Sequence, residues 1–281
     1  MDERVAVVII TRDRPDDLRR TLGRLRALPE RPHVIAVVNG SRGGMPAGFG
    51  EVTVLPQERD LGAAGRTAGV LAATAPYIAF CDDDSWWEPG SLAAAADLLD
   101  AHPDVALLAA RVGLGEGRLE PTCAEMAEAS LAGRPGLPGP PVVGFIACGA
   151  VVRRDAYLAA GGFEPLWGVG GEEQPLAAAL ADLGWELVYV DSLSAQHRPS
   201  LRRDPAARRG IATRNDLWFA WRRLPLGAAA RVTAHELRRA ADPHRRAGLL
   251  AALRGAPQAL RGRRAVGPRA ERRLSEMASQ R

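Results

Sequence analysis

The run Phe80-Cys81-Asp82-Asp83-Asp84-Ser85 sets three carboxylates on consecutive residues directly after an apolar stretch. Adjacent carboxylates repel one another and need a counter-charge. At the C-terminal end of a sheet strand, where open α/β sheets bind ligands, a hard divalent cation sharing diphosphate oxygens supplies one. A solvated acidic turn, with Asp or Ser capping the next helix, accounts for the same residues equally well. Three further features could complete a site. Gly171-Glu172-Glu173 precedes a helical pattern, as negative charge at a helix N-terminus or as a general base. His197 follows the strand-like Glu186–Val190 and a short loop; alone it reads as a surface or core histidine. Arg59-Asp60-Leu61-Gly62-Ala63-Ala64-Gly65-Arg66 leads into a helix, and its glycines let backbone approach a ligand closely or serve ordinary loop chemistry.

These residues need a frame. Arg4 to Thr11 is apolar and β-branched and reads as a buried strand. Leu18, Leu22, Leu25 and Leu28 follow at helical spacing. His33–Val38, Val52–Leu55 and Tyr77–Cys81 read as further strands, the last running into the acidic triplet. Helices are expected from about Ala63 to Ala73 and from Ser91 to Leu99, then a strand from Val105 to Ala110. The alternation predicts an α/β domain with a mostly parallel sheet flanked by helices. Residues 112–141, rich in Gly and Pro, read as a loop or lid. Residues 144–152 and 185–190 read as strands, with a helix starting near Gln174, and from Arg208 onward the pattern is helical.

Composition bounds the chemistry. All 37 basic residues among the 281 are arginine. A chain without lysine cannot build a P-loop lysine, a Schiff base or a lysine-dependent kinase site. The three cysteines, Cys81, Cys123 and Cys148, form no C-x-x-C pair and no zinc spacing, which fits a reduced, cytoplasmic compartment. No uncharged apolar run reaches the ~18 residues of a membrane span. Charge is split: residues 1–199 carry 17 arginines against 27 acids, and residues 200–281 carry 20 against 6.

In order and context these motifs resemble family 2 glycosyltransferases of GT-A fold, in the branch of bacterial rhamnosyltransferase-like enzymes. The resemblance spans residues 4–225. It rests on Val7 to Arg12, Val37 to Ser41, Asp60 to Arg66, Cys81 to Ser85, and a distal block. That block holds Cys148 to Arg154, Gly161-Gly162-Phe163, Gly171-Glu172-Glu173, Gly184-Trp185 and His197. The resemblance implies a GT-A domain over residues 1–200, with a nucleotide-sugar half (1–110) and an acceptor half (111–200), and an arginine-rich helical extension over 201–281. It implies that Thr11, Arg12, Asn39, Asp60, Gly65, Arg66, Asp82 and Asp83 hold the nucleotide sugar. Asp84, Asp82 and His197 would bind Mn2+ or Mg2+, and Glu173 or Glu172 would be the catalytic base, Glu173 first. The implied reaction is inverting transfer from a UDP- or dTDP-sugar to a hydroxyl of a glycan, a lipid-linked glycan or a natural product.

The chain departs from the family at three points. Val38 stands where the family usually has a base-reading Asp, Glu173 where Asp is commoner, and Pro175-Leu176 where Asp-Leu is usual. A proline suits the first turn of a helix, where no amide donor is needed. Trp86, Trp87 and Trp167 flank the acidic motifs and are candidates for stacking on sugar rings or for packing. Trp218 and Trp221 share a helical face that packs onto the domain. The basic tail is expected as a solvated helical extension, or as a peripheral contact with the inner face of an anionic membrane; no specific nucleic-acid module is present. Two rivals remain at this level: a sugar nucleotidyltransferase, disfavoured by the missing lysine, and an inactive glycosyltransferase-like scaffold, suggested by Val38 alone.

Overall fold

The computed structural model describes residues 2–41, 51–199 and 205–280. The first half runs β1 (Val5–Thr11), α1 (Pro15–Arg26), β2 (His33–Asn39), β3 (Val52–Gln57), α2 (Gly65–Ala72), β4 (Tyr77–Asp82), β5 (Ser85–Trp87) and α3 (Ser91–Ala101). The second runs β6 (Val105–Gly115), β7 (Arg118–Leu119), α4 (Pro121–Ala127), β8 (Ala150–Arg153), α5 (Arg154–Ala159), α6 (Glu173–Asp182) and β9 (Glu186–His197). Five helices follow: α7 (Pro205–Arg223), α8 (Leu226–Arg238), α9 (Pro243–Arg254), α10 (Ala256–Leu260) and α11 (Pro268–Gln280). The expected boundary between residues 200 and 201 lies outside the described residues.

One sheet carries the fold, in the order β3-β2-β1-β4-β8-β6-β9-β5, with β7 paired to β6. β3, β2, β1 and β4 are parallel, as are β6 and β9. β5, β7 and β8 run antiparallel to their neighbours. Side chains alternate across a strand, so β1 feeds both faces: Ala6 and Val8 enter one apolar layer, Val5, Val7 and Ile9 the other. α1 and α3 cover the second layer; α2, α5 and α6 cover the first.

Three expectations change, and one open alternative is decided. Residues 112–141 are not one loop: β6 continues to Gly115, β7 turns back on it, and α4 buries Cys123 and Met126 at helical spacing. Gly and Pro content hid these short elements. The strand expected over 144–152 is confined to Ala150–Arg153, after a 3-10 turn at Ala147–Gly149. His197 does not follow a loop. β9 skips register against β6 between Val190 and Ser194 and then resumes, so its last residue, His197, pairs with Ser85; a bulge bends and re-aims a strand in this way. The tryptophans Trp86, Trp87 and Trp167 are buried rather than open for stacking. Trp87 donates its indole N–H to Phe80 O at 3.1 Å.

The C-terminal helices are docked, not solvated. Trp218, Leu217 and Phe219 of α7 pack with Ala178 and Ala181 of α6, Ala252 of α9 and Ala270 of α11. Many tail arginines are structural ties: Arg223 to Asp182 (2.6 Å), Arg222 to Glu164 (3.0 Å), Arg245 to Glu236 (3.0 Å). The deepest tie is Glu186, wholly buried at the start of β9. It accepts from Arg273 at 2.6 Å and from Arg269, with Arg134 3.5 Å away. Removing one partner of a buried pair leaves the other charge uncompensated, at a cost of about 3–5 kcal/mol. Glu186→Ala is therefore expected to lower the free energy of unfolding by about that amount, seen as a lower urea midpoint, and to open α11 to trypsin at Arg269 and Arg273. Urea unfolding and limited proteolysis check it.

Candidate active site

The site lies at the C-terminal edge of the parallel strands, where β2, β1 and β4 end in Asn39, Thr11 and Asp82. Asp83 and Asp84 are not a solvated turn; both are buried. Thr11 donates its hydroxyl to Asp83 Oδ2 at 2.9 Å, and Thr21 donates to the Asp83 carbonyl at 2.9 Å. Arg14 reaches Asp83 Oδ1 (3.2 Å) and Asp84 Oδ2 (3.4 Å). Burial pushes the Asp83 carboxyl up to about 6, against the pull of Arg14 and the Thr11 hydroxyl. Ser85 Oγ accepts from the Asp82 N–H at 2.7 Å and fixes the turn.

Arg66, from α2, is the cation of the centre. It forms an ion pair with Asp82, and its Nη1 lies 3.8 Å from Glu172 Oε1. Its guanidinium carbon sits 5.4 Å from the Phe163 ring centroid. Burial opposes its charge, but Asp82, Glu172 and Glu173 together raise its pKa above the ordinary value. Asn39 and Gly65 brace this region. Asn39 accepts from Leu61 N–H (2.9 Å) and donates to Gly62 O (2.8 Å). A Cβ on Gly65 would stand 3.1 Å from Asn39 Oδ1. Arg12 forms an ion pair with Asp60 at the exposed rim.

A glycine-bearing loop brings the distal acids over. Ala63 N–H donates to Gly168 O at 2.9 Å, and a Cβ on Gly62 would strike the Gly168 backbone at 2.8 Å. Gly62 also needs a left-handed φ of 58°, which glycine adopts freely. Gly170 N–H donates to the Glu172 carboxylate, and Asn215 of α7 donates to Trp167 O (3.0 Å) and Gly170 O (2.5 Å). Glu172 caps α6 and Glu173 opens it. Burial first and the charge of Glu172 second push the Glu173 carboxyl up to about 8, with backbone N–H groups of Glu173 and Ala147 and the Arg66 charge acting the other way. A carboxyl near 8 is mostly protonated at neutral pH and is a stronger proton acceptor than an ordinary carboxylate once ionised.

His197 arrives from β9. Its Nε2 lies 3.4 Å from Asp84 Oδ1, and the backbone N–H of Arg198 donates to Asp84 O at 2.9 Å. Both His197 ring nitrogens are buried and make no hydrogen bond among the described residues. Asp82, Cys148 and His197 each offer a donor atom within 4.8 Å of the others. Orphaned imidazole nitrogens among carboxylates fit a divalent cation. The residues expected at the site thus lie along this edge: Asp82, Asp83, Asp84, Glu172, Glu173 and His197 form its acidic centre with Arg66 between Asp82 and Glu172, Thr11 holds Asp83, Asn39 and Gly65 form its wall, and Arg12 and Asp60 form its rim. Sequence reading missed Arg14, Cys148 and Asn215. Two of them left a signal: Arg14 as the second arginine of Arg12-Asp13-Arg14-Pro15, and Cys148 as the first residue of the distal block.

A sheet of this order, with an acidic triplet at the ends of its parallel strands and a carboxylate pair facing it, has the GT-A fold of glycosyltransferases. Residues 6–159 match the profile described as "Glycosyl transferase family 2", and the chain belongs to that family. It is 27% identical over 247 residues to the N-acetylglucosaminyl-diphospho-decaprenol L-rhamnosyltransferase of Mycobacterium tuberculosis (H37Rv and CDC 1551 strains), covering 74% of this chain and 80% of that one. Among solved structures it is similar to the mannosyltransferase PcManGT from Pyrobaculum calidifontis in complex with GDP-Man and Mn2+. That likeness has a TM-score of 0.59 and 17% identity and covers 98% of this chain and 75% of that one. GalNAc-T7 with UDP, GalNAc and Mn2+ superposes with a TM-score of 0.56 and 14% identity, covering 78% of this chain and 50% of that one.

The Glu173 environment has a measurable signature. A carboxyl whose pKa rises on folding, from 4.5 to about 8, binds more protons folded than unfolded between those values. Its contribution to stability is therefore full below the lower value and is lost as pH climbs to the upper one. Glu173→Gln, neutral at every pH, should melt a few degrees above wild type at about pH 8.5 and close to it at about pH 5. Thermal melts at the two pH values check it; an offset independent of pH would contradict it.

Proposed function

We propose that this glycosyltransferase moves a deoxyhexose, L-rhamnose, from a dTDP- or UDP-sugar to a hydroxyl of a lipid-linked diphosphate sugar, with inversion and with Mn2+ or Mg2+ bound. The observation that carries the reading is the convergence of Asp82, Asp84 and His197 on one side of Arg66 with Glu172 and Glu173 on the other. Sugar and acceptor are taken from the mycobacterial relative, whose name specifies both.

Asp84, Asp82 and His197 would hold the ion, which when bound neutralises the diphosphate leaving group. Thr11, Asn39 and Asp60 line the edge on which the base and ribose would lie. Arg12 and Arg14 add positive charge where the phosphates would sit. Arg66, paired with Asp82, holds that carboxylate in position. Glu173 takes the proton from the acceptor hydroxyl as that oxygen attacks the anomeric carbon, and Glu172, locked by Gly170 and Arg66, holds its partner in place. One displacement inverts the anomeric centre.

We place the protein in the cytoplasm, at the inner face of the membrane. No helix among the described residues is long and apolar enough to cross a membrane. Leu226, Leu237, Leu250 and Leu253 are exposed on the arginine-bearing helices α8 and α9, and Leu260 ends the uncharged α10 beside Arg261, a composition suited to peripheral contact with anionic lipid.

A ligand that binds only the folded chain raises its melting temperature. Thymidine or uridine diphosphate with Mn2+ is expected to do so, guanosine and cytidine diphosphates less, and Asp84→Ala should abolish the shift. Glu173→Gln should keep the shift and lower turnover by about 10²–10⁴-fold. Full turnover in that variant would overturn the assignment of the base.

A further inference from the structure

Cys148 sits almost wholly buried in the 3-10 turn that leads into β8. The other two cysteines are occupied: Cys81 donates to Ser85 O at 3.0 Å, and Cys123 accepts from Val112 N–H at 3.3 Å. Cys148 forms no hydrogen bond among the described residues. Its sulfur lies within 4.8 Å of a donor atom of both Asp82 and His197. His197 is the sign that the group faces a ligand: it is only 8% exposed, and among the described residues neither ring nitrogen makes a hydrogen bond, the nearest acid being Asp84 Oδ1, 3.4 Å from Nε2.

The three donors differ in kind from what Mg2+ or Mn2+ selects. Those ions take oxygen-rich sets, which Asp82 and Asp84 provide here. A thiolate, an imidazole and a carboxylate around one point are the donors that Zn2+ and Co2+ take in tetrahedral sites, with a fourth position left open. The turn at Ala147–Gly149 is braced by Gly149 N–H donating to Ile146 O at 3.0 Å. A Cβ on Gly149 would meet Val112 Cγ2 at 2.4 Å, so the Cys148 backbone sits close against β6.

We propose that Asp82, Cys148 and His197 form a binding site for a thiophilic divalent ion of the Zn2+, Co2+ and Cd2+ class, which competes there with the harder ion used in transfer. The proposal rests on the metal-dependent reading above and adds a selectivity that the acidic triplet alone does not have. As the metal–sulfur bond forms, the Cys148 thiol releases its proton to solvent and the thiolate donates an electron pair; nothing is oxidised or reduced. The harder ion uses the carboxylates and His197 and leaves the thiol protonated.

The test uses the full chain, stripped of metal with a chelator and dialysed. Titration with Co2+ or Cd2+ is followed by absorption, where a thiolate-to-metal charge-transfer band reports the sulfur directly. The wild type is expected to develop the band and to saturate at one equivalent. Cys148→Ser and Cys148→Ala should lose it and bind Zn2+ at least about tenfold more weakly by calorimetry. Mn2+ affinity should change by less than about threefold, and Cys123→Ser should keep the band. A wild type without the band, or a band that persists in both Cys148 variants, overturns the proposal. Zinc X-ray absorption on the unsubstituted protein gives a second reading that needs no variant: a sulfur neighbour at about 2.3 Å is expected, and a shell of nitrogen and oxygen only overturns it. If the transfer reading fails, Mn2+-dependent nucleotide binding is missing while the band remains. If only this proposal fails, nucleotide binding remains and the band is missing.

Discussion

Arg66 lies 2% exposed between the end of β4 and the start of α6, with Asp82 on one side and Glu172 and Glu173 on the other. A guanidinium is taken out of water at a cost of several kcal/mol unless acids compensate it, and here the acids come from two distant stretches of chain. The same cation pairs with Asp82 at the end of β4 and lies 3.8 Å from Glu172, the neighbour of Glu173. Neither half of the site is electrostatically complete without it. Its second contact, over the ring of Phe163, ties it to the Gly161-Gly162-Phe163 turn as well.

The rest of the structure serves to bring those acids to that cation. The parallel strands deliver Asn39, Thr11 and Asp82 in a row; the bulge in β9 re-aims His197 toward Asp84; the close approach of Gly62 and Gly168 carries the Glu172-Glu173 pair over the edge. α7 then locks the distal loop from outside through Asn215 and Arg214, both bonded to Trp167 O. The basic extension is thus part of the scaffold that positions the acidic pair. Its arginines divide into those that tie helices to the domain and those left at the surface beside exposed leucines.

Much of this was legible from residue types. The β-branched runs marked the four parallel strands, and the acidic triplet, the Glu pair and His197 stood out as groups needing a shared explanation. Other parts left no trace in periodicity. β5 is three residues long, too short to alternate visibly, and stacking or packing stayed open for Trp86 and Trp87 because their cover, α1 and β9, is far away in sequence. The pairing of Arg66 with Asp82 and Glu172, and of Glu186 with Arg273, joins residues whose proximity is set by topology alone. Cys148 was visible as a residue, but its nearness to Asp82 and His197 follows from β8 pairing beside β4, which no local pattern announces.

At the centre of the account is a single displacement at the anomeric carbon, with Glu173 as base and the acidic triplet holding the donor. The most direct test is the stereochemistry of the product. The protein would be incubated with Mn2+, the nucleotide sugar that it binds and a short-chain lipid diphosphate of N-acetylglucosamine, and the one-bond C1–H1 coupling of the new linkage read by NMR. The account predicts an anomeric configuration opposite to that of the donor. A product that retains the donor's configuration would contradict it, because retention requires two displacements or a front-face path that this arrangement of carboxylates does not describe.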